Sequence, residues 1–171
     1  MGQDKLILRA LEPGDIDAIY RWENDPEIWQ HSAAHAPFSR HMLTQYVMEA
    51  ATGDLYADKQ LRLVAEVDGM AVGCVDLFDY DPQHHRAGVG ILVDAACRKR
   101  GYGLRMLKAM AEYGHDVLQL HQIYCHVAED NTASRHLFEK AGYRCCGELK
   151  EWIYDAKEQR YMKAYMYQYL M

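Results

Sequence analysis

The stretch from Asp94 to Met110, "DAACRKRGYGLRMLKAM", gathers Arg98, Lys99, Arg100, Arg105 and Lys108 around two glycines, in a chain whose formal charge is -6. An apolar run precedes it, and Leu104, Leu107 and Ala111 follow at helical spacing. A loop that leaves a strand and opens a helix aims several unpaired N–H groups one way, and the helix dipole adds partial positive charge there. Gly101 and Gly103 remove side chains that would block close backbone approach, so phosphate oxygens can reach those groups. Arg98, Lys99 and Arg100 supply charge around them. This is chemistry for a diphosphate. The spacing Arg98-x-x-Gly101-x-Gly103 lacks the Gly-Lys-Ser/Thr of a Walker loop and is not the G-x-G-x-x-G of a dinucleotide fold, so a basic helix start is the competing reading.

Other groups that could move protons are few. Asp76 and Asp79 lie on "CVDLFDYD", where a solvent-facing strand carboxylate is the ordinary alternative. His84 and His85 are of a type that can act as a base near neutral pH but fall at a turn. His31 and His35 stand four apart and Cys145 and Cys146 are adjacent, but no second spaced pair completes a zinc set, and no metal is expected.

The elements that must hold these groups follow from periodicity. "LILRAL" alternates as a strand, and "EPGDIDAIYRWENDP" reads as a helix with Ile16, Ile19 and Tyr20 at helical spacing. Residues Glu27 to Arg40 show little periodicity and read as a loop or broken helix; "RHMLTQYVMEA" resumes a helix with Leu43, Val47 and Ala50 on its apolar line. Asp68-Gly69 between alternating apolar residues marks a hairpin, and "HHRAGVGILV" adds a third strand through a short turn, which favours antiparallel pairing. "QIYCHVA" is a strand. "NTASRHLFEKAGY" is a helix with Asn131 as N-cap and Gly142 as its stop. "RCCGELKEWIYD" and "RYMKAYMYQYLM" close as a strand pair. In the last, Tyr161, Tyr165, Tyr167 and Tyr169 fall on one face and Met162, Ala164 and Met166 on the other. The order predicts an α+β domain spanning residues 1–171, with a mixed, mostly antiparallel central sheet flanked by helices.

Composition bounds the partners. At 171 residues and 50% hydrophobic, one good core is expected. The acidic balance argues against nucleic acid, and no apolar run reaches the ~18 residues of a membrane span. Five cysteines without a secretion signal suggest reduced thiols and a cytoplasmic address.

"GILVDAACRKRGYG", followed by "YCHVAEDNTASRHLFEKAGYRCCGEL", resembles the GNAT family of N-acetyltransferases over most of the chain. The spermidine and ribosomal-protein N-acetyltransferase subgroups look most similar. The resemblance implies acetyl-CoA as donor and a primary amine as acceptor, on a polyamine-like small molecule or a peptide N-terminus. It implies that Ile91, Leu92 and Val93 end a splayed central strand that receives the pantetheine arm. It implies that Arg98, Lys99, Arg100, Gly101, Tyr102, Gly103 and Leu104 cradle the pyrophosphate. Asn131 matches the family asparagine beside the cofactor arm, with Ser134, Arg135 and Lys140 on the flanking helix, and Asp76 occupies an acidic position near the acceptor.

Two departures stand out. Many members place a proton-donating tyrosine seven residues after the motif asparagine, where this chain has Phe138, and "HRAGVG" puts Gly88 where a glutamate is often found. The stretch "WQHSAAHAPFSRHMLTQYV" holds none of the carboxylates expected to face a polycation; Trp22, Trp29, Phe38 and Tyr46 instead suggest an apolar acceptor cleft or plain core. A non-catalytic acyl-CoA-binding or sensor module is therefore the alternative to an enzyme. The two rich faces of the last strand suggest self-association.

Overall fold

Short turns and one long crossover set the topology of the computed structural model, which describes residues 5–26 and 36–171. In chain order the elements are β1 (Leu6–Arg9), a 3-10 turn at Pro13–Asp15, α1 (Ile16–Glu23), α2 (Arg40–Ala50), α3 (Leu55–Asp58), β2 (Leu61–Val67), β3 (Met70–Asp81) and β4 (Arg86–Val93). A 3-10 turn at Ala95–Cys97, α4 (Tyr102–Asp116), β5 (Gln122–Ala128), α5 (Thr132–Lys140), β6 (Arg144–Asp155) and β7 (Arg160–Leu170) complete it. The seven strands form one sheet in the order β1-β2-β3-β4-β5-β7-β6. Every pairing is antiparallel except β4 with β5. That parallel pair is joined through α4, the crossover a parallel pair requires. The expected α+β class and mixed sheet are what the chain adopts.

Local chemistry accounts for the joints. Asp68 and Gly69 both take positive φ, 52° and 76°, and turn β2 into β3. Asn131 caps α5 by accepting the Ser134 N–H at 3.1 Å, and Gly142, at φ 96°, ends that helical segment in the left-handed region. Ser39 caps α2 by accepting the Met42 N–H. Trp29, His31 and His35 lie outside the described residues, as does most of the stretch read as a loop or broken helix.

The sheet buries both faces. Against one, Val75, Val89, Ile123 and Tyr167 pack on Met106, Leu107 and Met110 of α4. Against the other, Val64, Cys74 and Leu92 meet Ile19 and Trp22 of α1 and Leu43 and Val47 of α2. The buried stripe of α4 is thus centred on Met106 and Met110 beside Leu107, rather than on Leu104 and Ala111, which remain half-buried. In β7 the tyrosine face meets the core at Tyr165, Tyr167 and Tyr169. Tyr161, at the hairpin end, is exposed, while Met162 and Ala164 on the opposite face are buried.

Candidate active site

The parallel pair is short. Arg86, Ala87 and Gly88 of β4 align with Gln122, Ile123 and Tyr124 of β5, and the ladder stops there. Beyond Gly88 the strands part, so Val89–Val93 and Cys125–Ala128 form the two walls of a split in the middle of the sheet. Edge-facing N–H groups along β4 lie outside any ladder and are free to donate, which suits a carbonyl held in the split. Ile91, Leu92 and Val93, half-buried, stand on this wall; Ile91 and Val93 turn to the α4 core and Leu92 to the α1 core.

At the open end of the split lies the basic turn. Lys99 and Gly101 adopt positive φ, 60° and 81°, and Gly101 is the N-cap of α4 with no side chain to close the helix end. A Cβ on Gly101 would point into open space, and the N–H groups of Gly101–Leu104 open the helix with no intrahelical acceptor. Gly103 has a packing duty as well. Its Cβ would stand 3.0 Å from Leu137 Cδ2 and 3.5 Å from Ile91 Cδ1, so its bareness lets α4 seat against α5 and β4. Arg100 and Arg105 both place their guanidinium over the buried ring of Tyr102, at 5.3 and 5.5 Å. Arg98 is turned back, its Nε donating to the Val93 carbonyl at 3.3 Å and its Nη2 facing Asp25 at 3.6 Å.

This turn is tied to α1. Asp94 accepts from Trp22 Nε1 at 2.8 Å, from the Ala96 N–H at 2.9 Å and from Arg21 at 3.2 Å. Burial alone would raise the Asp94 pKa, but these donors outweigh it and hold the carboxyl below its ordinary value. On α5, Asn131 and Ser134 share the cap nearest the split. Arg135 faces β7, stacking 4.2 Å from the Tyr165 ring centroid and donating to the Tyr167 hydroxyl at 3.3 Å. Lys140 is exposed at the far end of the helix, roughly 13 Å along its axis from Asn131.

The other face of β4 looks toward α1 and α2. Gly88 and Gly90 leave β4 bare there. A Cβ on Gly88 would sit 2.1 Å from Phe78 Cε2, so the Phe78 ring occupies the room a side chain would need; at Gly90 nothing lies within 4 Å. Asp76, cross-strand from Gly90, stands beside this open floor. Both of its oxygens are taken by Arg62, at 2.5 and 3.0 Å, and Arg62 also bridges to Glu23. The bidentate fork makes Asp76 a fixed wall. Further out, α2, α3, β2 and β3 enclose a cavity of about 880 Å³ with Tyr46, Glu49, Asp54, Asp58 and Asp76 on its wall. Carboxylates are therefore present, contributed from residues 49–58 and β3, later in the chain than the stretch searched for them. Of the aromatic candidates, Trp22 is buried and serves Asp94, Phe38 packs in the α1–α2 core, and Tyr46 lines the cavity. His84 and His85 sit at the paired end of β4, away from the split, with His85 Nδ1 at 2.9 Å from the Gln119 carbonyl.

A strand pair that splits beside a glycine-opened helix N-terminus suits a thioester arm next to a diphosphate, and this chain is an acetyl-CoA-dependent N-acetyltransferase. The chain belongs to the acetyltransferase (GNAT) domain family, whose profile matches residues 5–144. It is 28% identical over 148 residues to the spermidine N(1)-acetyltransferase of Escherichia coli K12, covering 83% of this chain and 74% of that one. A spermidine N-acetyltransferase from Vibrio cholerae in complex with CoA and spermine superposes with a TM-score of 0.82 at 26% identity, covering 96% and 95% of the two chains. A dodecameric structure of that enzyme superposes at 0.79 with 25% identity, covering 96% and 93%.

Proposed function

We propose that this enzyme acetylates a primary amine of a small polycation. The observation that carries the reading is the split of β4 from β5 directly beside the open end of α4, since it offers a thioester arm and a diphosphate adjoining sites. The pyrophosphate rests on the N–H groups of Gly101–Leu104 with Lys99 and Arg100 nearby. Arg98 acts indirectly, holding the turn through Val93 and Asp25, and Asn131 lines the arm. The thioester carbonyl accepts from the β4 edge. The acceptor lies over Gly90, with Asp76 fixing the wall beside it through Arg62.

A polycation is favoured over a peptide N-terminus because the neighbouring cavity carries Glu49, Asp54 and Asp58, which match a second and third positive charge. The spermidine-acetylating relatives support the same choice. An oligomer fits the dodecameric neighbour, and a cytoplasmic address fits five free thiols. Among the described residues no helix is long and apolar enough to cross a membrane.

The test is thiol release from acetyl-CoA with spermidine, spermine, a diamine, a monoamine and a tripeptide. Turnover rising with acceptor charge is expected; tripeptide turnover above spermidine turnover would reject the polycation reading. Separately, CoA at ~100 Kd should stabilise the fold by about 2.7 kcal/mol. Gly101→Val should abolish that shift, since a β-branched residue resists φ 81° and crowds the N–H groups.

A further inference from the structure

The proton that the acceptor ammonium must lose has no partner in the mechanism so far. Gly88 brings no carboxylate, and both oxygens of Asp76 are held by Arg62. On the other wall of the split, Cys125 is buried against α4 and one titratable side chain turns to the opposite face. Ile123, Cys125 and Val127 of β5 are buried against the α4 face, so the alternating His126 projects on the acceptor face, beyond the last paired residue, Tyr124. Its ring centroid is 5.7 Å from that of Tyr124 and 5.9 Å from that of Trp152. Among the described residues it makes no hydrogen bond, which leaves both ring nitrogens available.

A second observation supports a built site. The β3–β4 ladder is irregular between Phe78 and Asp81, and Asp79 within that bulge takes φ 50°. Bulges of this kind re-aim side chains beside active sites, and a non-glycine residue in the left-handed region is held there at some cost. The bulge turns Asp79 to the β5 side, where the Tyr124 hydroxyl donates to it at 3.3 Å. Asp79 and Tyr124 are the titratable groups facing His126; Trp152 on β6 and Met166, its register partner on β7, bring no charge. Burial lowers the His126 pKa below its ordinary value while Asp79 acts to raise it, so the imidazole is neutral at pH 7 and its protonated form has a nearby counter-charge. Tyr124, whose pKa is raised by burial and by Asp79, stays protonated.

We infer that His126 is the general base of the reaction and Asp79 the residue that stabilises its protonated form, an assignment that rests on the amine-acetylating reading. One ring nitrogen takes a proton from R–NH3+, giving R–NH2 and an imidazolium. The nitrogen lone pair then forms the C–N bond to the thioester carbonyl carbon, and the C–S bond breaks as the electron pair leaves with sulfur. The second proton lost by nitrogen reaches the thiolate through solvent. Products are the amide, the thiol and one proton on His126, which returns to water.

The test compares wild type, H126Q and D79N by the pH dependence of kcat/KM for thiol release with spermidine, and by NMR titration of the His126 ring. In the wild type the rate should fall toward acid with an apparent pKa below 6.5, matching the ring titration. H126Q should lose roughly 10²–10⁴-fold in kcat with little change in KM for acetyl-CoA, and lose the acid limb. Added imidazole should restore part of the rate. D79N should move limb and ring titration together to lower pH, a shift that a purely structural role would not produce. An H126Q enzyme with near wild-type rate and an unchanged acid limb overturns the assignment alone. A folded wild type that releases no thiol with any amine overturns the acetylation reading and this one with it.

Discussion

Gly88 stands where the family resemblance leads one to expect a glutamate, and packing explains the departure. The Phe78 ring lies where a Gly88 side chain would go, 2.1 Å from the Cβ position, so the two residues form one solution. Gly88→Glu should overpack and destabilise by about 1–3 kcal/mol or more. In the Phe78→Ala background the same change should cost less, and a double-mutant cycle by chemical denaturation should return a coupling of about 0.5–3 kcal/mol. Additivity would mean that the ring swings clear unaided. Phe138 is the second departure. It is 5% exposed, edge-on to Tyr143 at 5.0 Å, and that neighbour's hydroxyl is buried without a hydrogen-bond partner among the described residues. Phe138→Tyr adds a donor with little change of shape, so thiol release should quicken while CoA affinity holds. A rate equal to wild type would show that protonation of the thiolate is not limiting.

At the scale of elements, α1 and the donor turn behave as one unit because Trp22 and Arg21 reach across to Asp94. Trp22→Phe keeps the ring volume near that of a buried aromatic but leaves Asp94 with one donor fewer, at a cost of about 1–3 kcal/mol and with weaker CoA binding. The pH sign follows from the depressed Asp94 pKa: the native state holds the carboxylate ionised below the unfolded value of about 3.9. Its contribution is therefore full above that value and lost as pH falls through the folded pKa. Acid melts of wild type and W22F should draw together as pH falls below that unfolded value; a constant gap across the same range would detach Asp94 from the effect. Much at this scale was legible in the sequence, because Asp68-Gly69, Asn131 and Gly142 act through their own backbone. The tether was not. Trp22 and Asp94 are far apart in the chain, and nothing local to either announces the other. Gly103 was half legible for the same reason: its spacing points to the donor turn, but the room it leaves for Leu137 and Ile91 shows only in the fold. Likewise, the acidic cavity wall joins Glu49, Asp54 and Asp58, which follow the stretch searched, to Asp76 of β3, and only the fold brings the two together.

Over the whole molecule, the faces of β7 are less free than their composition implies. Tyr165, Tyr167 and Tyr169 are spent on the core, and Met162 and Ala164 are buried on the other side. What remains for a second copy is the β6–β7 hairpin end. There Trp152, Tyr154 and Tyr161 are 57%, 55% and 63% exposed, and the Tyr154 and Tyr161 rings lie 5.1 Å apart. Clustered exposed aromatics are a common sign of an interface. β6 is also an edge strand, whose ladder to β7 is irregular between Leu149 and Ile153, with Glu151 at φ 52°. Such an interruption, flanked by Glu148 and Lys150, blunts plain strand-to-strand pairing, so a side-chain-led contact through the hairpin end is the geometry left. Sedimentation should therefore show assemblies larger than a monomer at micromolar concentration. Tyr154→Ser with Tyr161→Ser should shift them toward monomer while the circular dichroism spectrum stays native, since both rings are exposed in the single chain. A wild type that remains monomeric at high concentration removes the oligomer. A double variant that still assembles moves the interface elsewhere on the surface. Because Trp152 also touches His126, the same variant should change acceptor KM only if assembly shapes the acceptor side, and an unchanged KM in a monomeric variant would confine the site to one chain.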